Sequence, residues 1–305
     1  MKTDAANLRR IIIMPLLGLL FLMIIGAFVV NTVINDSTKS SISASTAPVL
    51  LSADELGEIY NQLSVLNPQG LEGAISDAIK NQGKGYYPGE YLTEGHIILG
   101  LEKKDKDLIV YTIASTGWFG FENAIFTKTS GTGAIPTVMT FTYNELGEYE
   151  LLDYQEPRDG SEYAPSLKKL FPESLQKPLL SGNIDTTDLD RQQEAQAEVY
   201  LQNIGRSAQV QIDYVEKQLP EIDVTASNKL FSELSKHDSF LNNCPYWLGT
   251  REEIEEGIRY IYETAQSKAD DGTDLITFSK TKEDGAMVEK RVYMIVGQEP
   301  MPIYP

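Results

Sequence analysis

Few residues in this chain belong to types that usually do chemistry. It has one cysteine, Cys244, and two histidines, His96 and His237. Disulfide frameworks, thiolate zinc sites and most histidine-based catalysis are thereby removed. Glu94-Gly-His96 has no second histidine one helical turn away, so the spacing of a zinc peptidase is missing. Ser166-Leu-Lys-Lys169 places a lysine one turn from a serine, the arrangement in which an amine takes the proton of an acyl-transfer nucleophile. Lys128-Thr-Ser-Gly131 has the look of a companion strand. Acidic clusters at Asp185/Asp188/Asp190 and Asp270/Asp271/Asp274 bear oxygen ligands but lack the twelve-residue calcium loop with its closing glutamate. Capping and turn formation account for them, and no metal or cofactor is expected. Cys244, beside Pro245, Tyr246 and Trp247, is expected to be a small buried filler.

Aromatic clusters are the other candidate. Tyr86 and Tyr87, with Trp118, Phe119 and Phe121, fall where loops are expected around a sheet. Exposed, they would form a binding rim, and buried, they would be core.

The elements that must position these residues follow from periodicity and charge. Residues 11 to 30, IIIMPLLGLLFLMIIGAFVV, are uncharged and nearly all apolar, long enough as a helix to cover the ~30 Å hydrocarbon core. Lys2, Arg9 and Arg10 precede this run and no cation follows until Lys39, which puts the N-terminus inside. The expected plan is a cytoplasmic tail over 1–10, a transmembrane helix over 11–34 and a Ser/Thr-rich tether over 35–50, with the rest outside the cytoplasm.

With 26 Lys+Arg against 44 Asp+Glu, the 305 residues carry −18. Residues 1–36 hold three of those cations and two of the anions, leaving 23 against 42 beyond them, or −19. Such a surface does not suit a nucleic-acid partner, and it is repelled by anionic lipid headgroups.

The outer chain is expected to be α+β. An amphipathic helix opens at the capping box Ser52-Ala-Asp-Glu55, and a second covers 71–82. Alternation then predicts five strands between Glu90 and Gln155, joined at 104–107, 117–120, 131–133 and 144–147 as an antiparallel meander. This domain spans 51–182. Over 183–305 the pattern predicts one helix from Thr186 to Leu219, another after Thr250-Arg-Glu-Glu253, and a terminal hairpin turning at Asp284-Gly285. That segment packs on the first domain or forms a second subdomain.

The block from Ile75 to Pro172, about a third of the chain, resembles the extracellular C-terminal module of BlaR/MecR-like membrane regulators and related single-span proteins of Gram-positive bacteria. The pieces that carry the resemblance are AISDAIKNQGKGYY, EYLTEGHIILGLEKKDKDLIVYTIASTGWFGFENAIFTKTSGTGAIPTVMTFTY, Glu156-Pro-Arg-Asp-Gly-Ser161 and Lys168-Lys-Leu-Phe-Pro172. It implies an outward-facing sensing or partner-binding module. The chain has one apolar span where the full regulators have several, and it lacks their metallopeptidase motif, so no catalytic residue carries over.

The resulting expectation is a membrane-anchored extracytoplasmic protein that binds a small ligand or a protein partner through Tyr86, Tyr87, Trp118, Phe119 and Phe121. One alternative is a cell-envelope serine hydrolase or penicillin-recognising protein using Ser166. In that class, however, Ser-x-x-Lys precedes the Lys-Thr-Gly strand with a Ser-Asp-Asn element between them, and here the order is reversed. Another is a structural accessory subunit docking through its apolar helix.

Overall fold

A computed structural model describes residues 70–144 and 148–303. The apolar run, the tether and the helix expected at Ser52 lie outside them. Among the described residues no helix is long and apolar enough to cross a membrane. The fold is α+β, with a large antiparallel sheet and several helices.

The chain falls into two compact units. Of the described residues, the first comprises 70–74, Ile97–Thr112 and Thr137–Gly182, and the second comprises Ile75–His96, Ile113–Pro136 and 183–303. In order, the elements up to residue 155 are helix α1 (Gly70–Gly83) and strands β1 (Tyr91–Lys104), β2 (Asp107–Glu122), β3 (Ile125–Gly131), β4 (Ile135–Tyr143) and β5 (Tyr149–Gln155).

Unit 1 adds helices α2 (Tyr163–Leu170) and α3 (Glu173–Ser181), separated at Pro172. Alternation along β4 buries Thr137, Met139 and Phe141 and leaves Val138, Thr140 and Thr142 half-buried. Tyr111 and Phe171, ring centroids 5.8 Å apart, fill the same interior, and the Tyr111 hydroxyl donates to Glu102 at 2.8 Å.

Five strands are present as expected, but they do not form a simple meander. β4 pairs with β2 and β5, whereas β3 pairs with β2 and, in parallel, with the short β6 (Val210–Gln211). The cause lies in β2, which does not turn at Gly117–Gly120 but runs on to Glu122, buried along nearly its whole length as a central strand must be. Its turn comes at Asn123-Ala124, both with positive φ (51° and 62°), the two-residue primed turn that suits strand twist. Alanine bears a Cβ penalty there. Ala124→Gly is therefore expected to raise stability by about 1 kcal/mol in chemical denaturation.

In unit 2, helix α4 (Thr187–Asn203) ends at Gly205 (φ +70°), well short of the expected Leu219, because the chain leaves helical geometry there to supply β6. Its apolar side, Ala197 and Leu201, packs on Phe119, Phe121 and Phe126 of β2 and β3, with Tyr200 stacked on Tyr91 at 4.3 Å. Its polar side is used equally closely. Gln192 accepts from the His96 N–H at 2.9 Å and donates to the His96 carbonyl at 3.0 Å, and Gln196 makes the same pair of bonds with Glu94.

The stretch after Thr250 is also not a helix. β7 (Gly249–Glu255) and β8 (Ile258–Lys268) form a hairpin turning at Glu256-Gly257, and β9 (Asp274–Lys282), β10 (Met287–Val296) and β11 (Glu299–Ile303) continue it. Tyr262 and Thr264, two residues apart, are each 1% exposed, a period that only a strand satisfies. Asn123 fastens this hairpin to the β2–β3 turn: its N–H donates to the Thr250 carbonyl, and its Oδ1 accepts from the Thr250 N–H at 2.9 Å. The helices α5 (Val224–Asn228) and α6 (Ser239–Asn243), with the π-helical turn Lys229–Leu234 between them, cover β8, β9 and β10. Phe240, Tyr262, Ile276, Phe278 and Tyr293 are part of that core, and each such side chain buried contributes on the order of 1.5–3 kcal/mol. β11 closes the sheet with Pro300 and Pro302 in the same phase, so neither offers a ladder donor.

Candidate functional site

Unit 2 contains a cavity of about 350 Å³. Its walls come from the Tyr87–Glu90 segment ahead of β1, the Gly120–Glu122 end of β2, Lys217, the Tyr246-Trp247 pair and residues 251–253 of β7.

A buried ion-pair network holds two of its lining carboxylates, Glu90 and Glu252. Arg259 of β8 donates twice to Glu90, at 2.6 Å each, and also to Glu252 at 2.9 Å. Arg206, just past α4, holds the other side of Glu252, and the Tyr200 hydroxyl donates to Glu90 at 2.8 Å. The side chains of Glu90, Glu252 and Arg259 are 4%, 8% and 10% exposed. The Phe121 ring lies beneath both guanidiniums, 3.9 Å from Arg206 and 5.3 Å from Arg259. Burial, added to by the hydrogen bond from its hydroxyl to the Glu90 carboxylate, pushes the Tyr200 phenol up to about 12.

Lys217 pairs with Glu122 at 2.9 Å and sits 4.0 Å above the centroid of the Trp247 ring. Trp247 is 2% exposed, and its indole N–H has no acceptor. Buried donors without partners are rare, because each loses its water without compensation. Arg251 anchors its guanidinium on the Asn242 and Asn243 carbonyls at the end of α6, yet its buried Nε makes no hydrogen bond; the Glu253 carboxylate lies 3.4 Å away. Burial pushes the Glu253 carboxyl above the usual range against the pull of Arg251, with Glu255 and Glu90 adding repulsion. Cys244 also borders the cavity, and burial pushes its thiol up to about 12. A thiol so protonated is a poor nucleophile.

The residues singled out from the sequence divide. Tyr87, 70% exposed, and Phe121, 2% exposed, both line the cavity. Tyr86 is 41% exposed outside it. Phe119 is fully buried in the α4 core. Trp118 lies within β2, not in a loop, and its indole N–H donates to the Gly83 carbonyl at the end of α1 at 3.0 Å.

His96 bonds Glu94 through Nδ1 at 2.9 Å, and His237 is exposed. Ser166 Oγ spends its bonds on backbone, donating toward the Glu162 and Tyr163 carbonyls and accepting from the Arg158 N–H. Lys128 lies in the other unit, donating to the Thr132 carbonyl at 2.7 Å. Asp185 accepts from the Thr187 N–H at the start of α4, and Asp271 from the Thr273 N–H in a turn. Among the described residues no group of three or more His, Cys, Asp or Glu is placed to hold a metal ion.

Sequence reasoning missed Lys217, Trp247, Arg251 and Glu252 as site residues. The signal it did hold was Tyr246-Trp247, two adjacent large aromatics after a proline in an acidic chain. Comparison of the chain with protein-family models, with curated proteins and with solved structures finds no match.

Proposed function

We propose that this protein is anchored in a membrane by its apolar run, with the N-terminus inside, and binds a small ligand outside the cytoplasm in the unit 2 cavity without transforming it. The observation that carries the reading is the lining of the cavity, where the exposed Tyr87 and Tyr246 rings stand among Glu90, Glu122, Lys217 and Arg251. Aromatic walls with a few convergent polar groups are what small-molecule sites are made of. For the anchor, support comes from twenty uncharged residues at 11–30 behind three cations. The resemblance to outward-facing modules of Gram-positive regulators points the same way.

Two measurements test it. Protease added to intact cells is expected to degrade the chain beyond Asn31 while an N-terminal tag survives; survival of the whole chain overturns the topology. Nondenaturing mass spectrometry of the full chain taken gently from its own membranes is expected to show a bound small molecule of fixed mass. That molecule should be lost on Lys217→Ala, which opens the Trp247 face. An empty chain across preparations overturns the binding reading.

A further inference from the structure

We infer that the ligand of this cavity is a small organic monocation, a protonated amine, held by the Glu253 carboxylate and the exposed rings of Tyr87 and Tyr246. The inference rests on the cavity being a ligand site.

The charge of the wall comes first. Four carboxylates line it, Glu90, Glu122, Glu252 and Glu253, against two cations, Lys217 and Arg251. Behind the lining, Arg259 and Arg206 offset Glu90 and Glu252, but Glu283 lies 3.9 Å from each of those guanidiniums and adds a further acid. The wider count is five acids against four cations, so acid is in excess with or without the partners behind the wall. An anion entering here is repelled, and a cation is drawn in.

Reach then selects one of the four carboxylates. Glu90 is held by Arg259 and Tyr200, Glu252 by Arg206 and Arg259, and Glu122 by Lys217, and their side chains are no more than 10% exposed. The side chain of Glu253 is 36% exposed. Its cationic neighbour is the Arg251 Nε at 3.4 Å, and that atom gives it no hydrogen bond. Burial and the repulsion of Glu255 and Glu90 hold the Glu253 carboxyl above the usual range, a state that a positive charge alongside would relieve. A reachable carboxylate in this condition has room for an N–H donor. Because only this carboxylate is open, the site takes one positive charge.

The rings supply the rest of the hold. Tyr87 and Tyr246 are exposed among the lining residues, and the face of a ring attracts a cation. The chain already uses this pairing at the cavity, where the Lys217 ammonium lies 4.0 Å above the Trp247 ring while it is paired with Glu122. Lys217 thereby supports the site indirectly, since Trp247 is the ring against which Tyr246 rests edge-on at 5.0 Å. A metal ion is the other kind of cation, and it needs several ligands in one shell. Among the described residues no three His, Cys, Asp or Glu are so placed. About 350 Å³ is near the low end for small-molecule sites and suits a compact amine.

The test uses the full chain in a nonionic detergent at low salt, titrated by calorimetry. The probes are benzylamine and butylamine, with benzyl alcohol as the neutral counterpart, benzoate as the anion, benzyltrimethylammonium as a cation without an N–H, and magnesium. Both amines are expected to bind, and benzylamine at least about tenfold more tightly than the alcohol or the quaternary cation, the worth of a hydrogen bond to a charged acceptor. Glu253→Gln keeps the shape and removes the charge, and is expected to abolish the advantage of benzylamine over the alcohol. Tyr246→Leu, which removes a ring face, is expected to weaken benzylamine about threefold more than the alcohol. The probe series on the unaltered chain decides the charge whether or not the variants fold. Benzyl alcohol or benzoate binding as tightly as benzylamine overturns the cation, and equal binding of the quaternary cation overturns the N–H contact. Full binding of benzylamine to a folded Glu253→Gln chain overturns the role of that carboxylate, and magnesium displacing the amine replaces it with a metal. If no amine binds while the native chain still carries a bound molecule, the amine class is wrong and the site stands. If the native chain is empty as well, both fall.

Discussion

Replacing Arg259 with methionine is expected to cost about 3–5 kcal/mol of folding stability, among the largest effects of any single substitution in unit 2. The guanidinium, 10% exposed, is shared between two carboxylates that are themselves nearly buried, Glu90 and Glu252. Removing it strands Glu90, which would keep only the Tyr200 hydroxyl, and leaves Glu252 to Arg206 alone. Burying a charge without its partner costs far more than the intact pair gains, so the penalty measures the isolated carboxylate rather than the worth of the ion pair. A second variant separates the two quantities. Adding Glu90→Gln to Arg259→Met removes the stranded charge, keeps a hydrogen-bonding amide for Tyr200, and is expected to recover a substantial part of the loss. Urea denaturation of the three chains reads the cycle. A loss under about 1 kcal/mol for Arg259→Met would mean the network behaves as a solvated surface pair. Because Glu90 and Glu252 also line the cavity, the single variant should lose ligand binding along with stability, and the double variant should regain the fold before it regains the site.

The parts of this fold that the sequence discloses are those where one local period dominates. α1, the five early strands and the hairpin at Asp284-Gly285 fall where alternation or helical spacing places them. Besides the far end of α4, two elements were misread because tertiary context overrode local preference. Thr250-Arg-Glu-Glu253 has the form of a capping box, and Glu252 to Glu256 favour helix. The strand is fixed instead by Asn123, 127 residues away, bonding the Thr250 backbone, and by the two-residue period of Tyr262 and Thr264. Gly117 and Gly120 looked like turn residues, yet they sit in mid-strand. At Gly117 an added Cβ would come 2.3 Å from the Gln193 Oε1, so the glycine admits a buried amide, not a bend. That single error put Trp118, Phe119 and Phe121 in a loop. Of the binding candidates read from the sequence, only Tyr87 and Phe121 line the cavity. Lys217, Trp247 and Arg251 come together through the Gln218–Leu248 bridge and the β2–β7 pairing, and no local motif announces a set assembled by such long-range contacts.

Gly95→Ala is expected to destabilise unit 2 by about 3 kcal/mol, near the top of the range for overpacking, and to do so by lifting α4 off β1. An alanine Cβ there would fall 2.5 Å from the Leu189 carbonyl oxygen and 2.9 Å from its Cα, atoms of the helix backbone that no rotamer change can move aside. The close approach has a purpose that the neighbouring residues show. Only with the first turn of α4 this near the strand can Gln192 and Gln196, four residues apart on one helical face, reach the N–H and C=O groups of His96 and Glu94. Each glutamine amide stands in for a strand peptide, donating and accepting as a β-partner would, so backbone groups facing away from β2 are satisfied without another strand. Moving the helix by a fraction of an ångström therefore breaks four hydrogen bonds together and leaves Gln193, fully buried on Ser115, without its support. Gln192→Ala, which removes one amide without adding bulk, should cost about 1–2 kcal/mol. Hydrogen exchange distinguishes the two. Gly95→Ala should expose the amides of both residue 94 and residue 96, whereas Gln192→Ala should release His96 and leave Glu94 protected. If Gly95→Ala keeps both amides protected at full stability, the helix has room to yield, and the glutamines do not depend on the glycine for their reach.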